Sequence, residues 1–202
     1  METNKFSEQE SMQVIQQMIN TARNSLHKGV ADILIFWGYL IAATALTVYV
    51  LQHTHINSGY VQYAWLITIP GWVYTIIKVR KLRHSTKFKS YTNIIFGRIW
   101  LGFGIACALL PLFYSLATYR FGMPAIWVTL TPTILLMQGV CLFASGSIYH
   151  FKPFIYGALA CALIFAGCYI FPWQQFLFLG LCQIFSLVIP GHLLNKKAEN
   201  DV

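Results

Sequence analysis

Six acidic residues in a chain of 202 set the first chemical constraint, and between Asp32 and Glu199 there is no Asp or Glu at all. Proton and cation pumps, intramembrane aspartyl proteases, carboxylate metal sites and opsin-type counter-ions rest on a buried acid or pair a cation with one. None of these chemistries can be built from residues 33–198. The same stretch holds no mid-depth Lys suited to a Schiff base, and no Gly-rich phosphate loop follows a strand. The residue types therefore point to a protein that binds rather than catalyses and that uses no cofactor.

The remaining reactive side chains are His and Cys. His53 and His55 form a His-x-His pair, but a metal there needs a third and often a fourth ligand, and their loop has no Cys, Asp or Glu. They read as loop histidines. His150 and His192 end two apolar segments; they could meet as axial ligands of a haem or sit as polar rings at an interface, which demands less. Cys107, Cys141, Cys161, Cys168 and Cys182 all fall inside apolar segments without a CxxC pair. Buried Cys behaves as a small hydrophobe, so reduced packing residues are expected.

A more specific constellation is polar and uncharged. At about 1.5 Å of rise per residue, Thr68, Pro70, Gln138 and Gln183 fall roughly 12 to 20 Å below one end of their apolar segments. An amide in hydrocarbon needs partners, and a proline frees a carbonyl one turn earlier. Two readings follow: a structural hydrogen bond between helices, or a small recognition site for a neutral or anionic solute.

The elements that must position these residues are membrane spans. The chain is 57% hydrophobic and 10% charged, with mean hydropathy +0.59, whereas soluble domains average about 45–50% and about 25%. Hydropathy places six spans at residues 33–51, 60–79, 94–119, 125–148, 154–171 and 174–194. The expected fold is an all-α, six-transmembrane-helix bundle over 31–195, preceded by a cytoplasmic amphipathic helix and linker at 1–30 and followed by a tail at 196–202. No apolar stretch with a small-residue cleavage site follows the first Met, so span 1 is expected to be an uncleaved anchor.

Basic residues set the orientation, because Lys and Arg in short loops resist translocation. Lys5, Arg23 and Lys28 precede span 1; Lys78, Arg80, Lys81, Arg83, Lys87 and Lys89 cluster between spans 2 and 3; Lys152 precedes span 5; Lys196 and Lys197 follow span 6. All face the cytoplasm if the N-terminus does, and the net charge of +8 then reflects topology rather than nucleic-acid binding. Aromatic residues mark both levels, with Tyr49, Tyr60, Tyr63, Tyr119, Trp127 and Trp173 outside and Trp37, Tyr91, Tyr149 and Tyr156 inside.

Glycines beside aromatic residues in the odd spans (Gly38, Gly97, Gly157), and Gly71, Gly139 and Gly191 in the even ones, suggest three repeated hairpins. Membrane helices are also generally rich in Gly and Pro. The rows Ala158, Ala162, Ala166; Gly157, Cys161; and Gly102, Ala106 have the four-residue spacing of packing seams. Such seams also allow a homo-oligomer.

The N-terminal segment differs in kind. Ser7 with Glu10 has the form of a capping box. Met12, Ile15, Ile19, Ala22 and Leu26 then recur at steps of 3, 4, 3 and 4, an apolar stripe. Its polar face carries Gln13, Gln16, Gln17, Asn20 and Asn24 instead of the Lys and Arg of a lipid-surface helix. Met12, Ile15, Ile19 and Leu26, with Arg80, Lys81 and Arg83 of the basic loop, are thus candidate docking residues for a cytoplasmic protein partner. The alternatives are packing beneath the bundle itself and pairing with a second copy. The alternative function, from the polar layer, is a small facilitator or channel.

The run Glu10, Ser11, Ile15, Met18, Ile19, Ala22 and Arg23, followed by Phe36, Trp37 and Gly38, resembles a family of small bacterial polytopic membrane proteins of unassigned activity. The likeness is strongest over about the first 45 residues. It implies a bacterial inner-membrane location with six spans, and it transfers no catalytic residue.

Overall fold

A computed structural model describes residues 8–54, 61–85 and 91–200 of the chain. Among them there is no strand, as a chain bound for hydrocarbon requires: a helix satisfies its own backbone hydrogen bonds where water is absent. Helix α1 runs from Glu8 to His53, 46 residues without a break, or about 69 Å at the usual rise. Helix α2, Thr68–Ser85, is entered through a 3-10 turn at Gln62–Ile67. Helix α3 covers Tyr91–Phe121, and α4 covers Leu130–Tyr149 after a 3-10 turn at Pro124–Thr129. Helix α5 is Lys152–Ile170. The last helix, α6, joins Gln175–Gln183, a π-helical turn at Ile184–Val188, and Ile189–Asn200.

Among the described residues five helices are long and apolar enough to cross a membrane: Gly29–His53, Ile94–Phe121, Pro124–Tyr149, Lys152–Ile170 and Pro172–Lys197. The predicted second span is not one of them. Its Thr68, Pro70, Gly71 and Thr75, and Lys78 near its end, dilute the hydropathy.

Helix α6 is the centre of the packing. Of its apolar window 56% is buried, against 6% for α3. It lies between α1 and α5, and the order of neighbours runs α2, α1, α6, α5, α4, α3. Missing side chains permit the close approach on both flanks. A Cβ on Gly38 of α1 would fall 3.1 Å from Leu187 Cβ, and one on Gly157 of α5 would fall 3.1 Å from both Cα and O of Ser186. Gly180 and Gly191 do the same from α6, against Leu46 with Ala42 and against Ile35 with Ala31.

The turn between α4 and α5 is as short as such a turn can be. His150 takes the left-handed conformation at φ 51, which lets the Phe151 N–H return to the Gly146 carbonyl at 3.0 Å and close the helix end.

Helix α2 is held in antiparallel register to α1. Gly29 lies against Leu82, Lys78 Nζ donates to Asp32 Oδ2 at 2.9 Å, Trp37 Nε1 donates to Thr75 Oγ1 at 2.8 Å, and Gly71 meets Leu40. At the far end the Trp65 ring is 6.2 Å from that of Phe176. Its outer face is apolar and bare: Leu66, Ile69, Val73, Ile76 and Ile77 are all about half exposed. Trp72 reaches Gly104, so α2 also touches α3.

Several sequence expectations change here. The linker near residue 30 does not exist, because no proline interrupts residues 8–53 and Gly29 is backed by Leu82. Trp37 is wedged between α1 and α2, its Nε1 donating to Thr75 Oγ1 and its ring against Trp72. The three odd-span glycines have different surroundings: Gly38 and Gly157 face α6, whereas Gly97 meets nothing within 4 Å. Of the predicted seams, Gly157 with Cys161 packs tightly. Ala162, Ala166 and Gly102 are exposed, and Gly104 takes the contact that the sequence assigned to Gly102.

Candidate functional site

Two of the four residues predicted for the polar layer meet. Gln138 of α4 and Gln183 of α6 are each 2% exposed, and their amides face one another in a reciprocal pair. Gln138 Nε2 donates to Gln183 Oε1 at 3.1 Å, and Gln183 Nε2 donates to Gln138 Oε1 at 3.0 Å. Gln138 Nε2 also donates to Ser186 Oγ at 2.8 Å, so both of its amide hydrogens are committed.

The local sequence explains how α6 delivers these groups. Pro190 has no N–H to offer the Ser186 carbonyl four residues earlier, and the helix widens into the π-helical turn at Ile184–Val188. That turn brings Gln183, Ser186 and Leu187 inward together, all buried. Ser186 is the member that the sequence reading missed. Its signal is the Gln183, Ser186, Pro190 spacing, a polar pair one turn apart followed by a proline one turn later.

Thr68 and Pro70 stand apart from this cluster. The Thr68 hydroxyl donates to its own Trp65 carbonyl at 2.7 Å, Pro70 is exposed, and α2 packs on α1. Equal depth did not mean adjacency.

Sulfur completes the layer. Cys161 of α5 and Cys182 of α6 are wholly buried with Sγ atoms 3.5 Å apart, and a Cβ on Gly139 of α4 would lie 3.2 Å from Cys161 Cβ. All five cysteines are free thiols. Helices α4, α5 and α6 thus meet around two amides, a hydroxyl and two thiols whose polar atoms face each other, an arrangement that holds helices in register.

The histidines separate. His53 Nδ1 is 2.8 Å from the Tyr49 carbonyl oxygen, and His55 lies outside the described residues. His150 occupies the left-handed turn, while His192 pairs with Tyr39 of α1. Among the described residues no group of three or more His, Cys, Asp or Glu is placed to hold a metal ion.

Of the docking candidates, Met12 is 72% exposed, and Arg80 and Lys81 are exposed at the end of α2. The side chains of Ile15, Ile19, Leu26 and Arg83 lie outside the described residues. What the backbone does show is that residues 8–28 continue the axis of span 1. The chain matches no protein-family model, no curated protein and no solved structure.

Proposed function

We propose that the chain is a non-catalytic, six-span inner-membrane protein with both ends cytoplasmic. In this proposal it displays a stiff helical arm, residues 8–28, beside the basic end of α2 to dock a cytoplasmic protein. The observation that carries this reading is the unbroken α1. An amphipathic segment continuous with a span cannot fold back flat on the headgroups, so its apolar stripe stands away from the bilayer, where lipid cannot cover it.

The sixth crossing is supported by register. Lys78 and Leu82 sit level with Asp32 and Gly29, and Trp65 lies near Phe176, which supports setting α2 in the same slab as α1. Its hydroxyls are spent internally, Thr68 on Trp65 and Thr75 on the Gly71 carbonyl at 2.9 Å, and the face left outside is hydrocarbon. The solute-facilitator alternative has less support, because Gln138 has no donor left for a solute.

The test is a photo-crosslinking amino acid placed at Met12 in one variant and at lipid-facing Leu136 in another, in the full-length protein in cells. A discrete protein adduct at position 12 and none at 136 is expected. No adduct at 12, or the same adducts at both positions, would remove the docking role.

A further inference from the structure

Between α1 and α6, on the face turned to lipid, two ionisable side chains from different helices meet. Tyr39 Oη lies 3.3 Å from His192 Nε2, with ring centroids 6.1 Å apart in an edge-to-face arrangement. Tyr39 is 54% exposed and His192 is exposed as well. A polar pair of this kind belongs neither to the core nor to the cluster around Gln138, and ionisable groups facing hydrocarbon are costly enough to need a reason.

Depth supplies the reason. Gly191 packs against Ala31 and Ile35, level with the Asp32–Lys78 ion pair, so the pair sits just beneath the basic interface. Lys196, one turn beyond His192 on α6, is exposed and reaches the headgroup level. Deeper, the same faces are apolar or nearly so: Ala43 and Thr47 follow Tyr39 at four-residue steps on α1, while Phe185 and Ile189 precede His192 on α6, all exposed. The Thr47 hydroxyl is spent on the Ala43 carbonyl at 2.8 Å. By the register of Gly38 with Leu187 and of Gly180 with Ala42, Ile189 and Phe185 stand beside residues 36–40 and Ala43 and Thr47 lie deeper, so the α1–α6 seam carries a largely apolar strip with donors and one cation at its mouth.

We infer that this seam is a binding site for an anionic phospholipid, with the phosphate held by Lys196 and the Tyr39–His192 pair and an acyl chain running past Ile189 and Phe185 and then along Ala43 and Thr47. The hydrogen-bond chemistry suits a phosphate in either tautomer. If Tyr39 donates to Nε2, the ring keeps an Nδ1–H; if Nε2–H donates to Tyr39, the phenol keeps its O–H. One donor always remains for an oxyanion, with the Lys196 charge one turn away. No acid stands within a turn of His192 on α6, where the nearest is Glu199, three residues past Lys196, and on α1 the Asp32 carboxylate is paired with Lys78 of α2. Charge complementarity thus selects a net negative headgroup, as at other basic sites between membrane helices.

The experiment is native mass spectrometry of the full-length protein in neutral detergent, titrated with phosphatidylglycerol, phosphatidylcholine or inorganic phosphate. The expected result is one retained phosphatidylglycerol, favoured over phosphatidylcholine by about fivefold for a site with one cation. Retention should fall by a similar factor in the Tyr39→Phe, His192→Leu double variant. Lys196→Gln, which changes only an exposed side chain, should fall severalfold on its own. Equal retention of the two lipids by the unaltered protein overturns the inference whether or not any variant folds. Unchanged retention in Lys196→Gln overturns it too. Displacement of the lipid by millimolar phosphate would assign the site to the free ion instead.

Discussion

The paired amides of Gln138 and Gln183 show why a buried polar group is judged by its partners. Alone in an apolar core, either amide would carry a desolvation cost of about 1–3 kcal/mol; together they cancel most of it, and Ser186 takes the remaining Gln138 hydrogen. Interhelical hydrogen bonds in membranes contribute only about 0.6 kcal/mol on average, because the unfolded chain in lipid also finds partners. Removing one member should therefore cost more than removing both. Gln138→Leu leaves the Gln183 amide unpaired and is expected to lower stability by about 1–2 kcal/mol. The double variant Gln138→Leu, Gln183→Leu should recover at least half of that loss, since Ser186 can turn its hydroxyl back onto its own helix as Ser145 does with the Cys141 carbonyl at 2.7 Å. Unfolding in mixed detergent micelles measures both. A double variant as unstable as the sum of two single losses would contradict the pairing.

At the scale of the elements, α6 is positioned by absent side chains, and two glycines predict opposite outcomes for the same substitution. Gly157→Ala puts a methyl 3.1 Å from main-chain atoms of Ser186, which cannot move without shifting the π-helical turn, so a loss of about 1–3 kcal/mol is expected. Gly97→Ala meets nothing within 4 Å and should gain up to about 1 kcal/mol from helix propensity. Thermal unfolding of the two variants side by side decides whether close approach or backbone freedom governs each site. The sequence made both glycines look alike, each beside an aromatic residue at the start of an odd span. Periodicity and hydropathy report how long a helix is and at what level along it a residue lies, and these were legible: five apolar helices, the helical N-terminal segment, and the shared level of Gln138 and Gln183. They do not report which helix stands beside which. That is why Thr68 and Pro70 were grouped with the glutamines, why Gly102 was chosen over Gly104, and why Ser186 went unnoticed. Neighbour order is set by packing among all six helices, and no local pattern in the chain encodes it.

For the molecule as a whole, hydropathy and register give different counts of crossings at α2. By hydropathy alone five helices cross and the two ends of the chain fall on opposite sides; by register α2 crosses as well and the ends share a side. The basic residues weigh for the second, since with five crossings either Lys5, Arg23 and Lys28, or the cluster from Lys78 to Lys89 together with Lys196 and Lys197, would have to be translocated, against the bias that Lys and Arg impose. The packing agrees, because a helix lying outside the slab would expose Leu66, Ile69, Val73, Ile76 and Ile77 to water, at about 25 cal/mol for each Å² of apolar surface. Single cysteines introduced at Thr3 and Asp201, each in a background with the five native cysteines replaced by Ala or Ser, should both resist a membrane-impermeant maleimide in intact cells. Both should react once the membrane is opened, while a cysteine at Asn57 reacts from outside. Labelling of only one of the two, Thr3→Cys or Asp201→Cys, in intact cells would reduce α2 to a helix that does not cross, and would leave the arm and the C-terminal tail on opposite faces of the membrane.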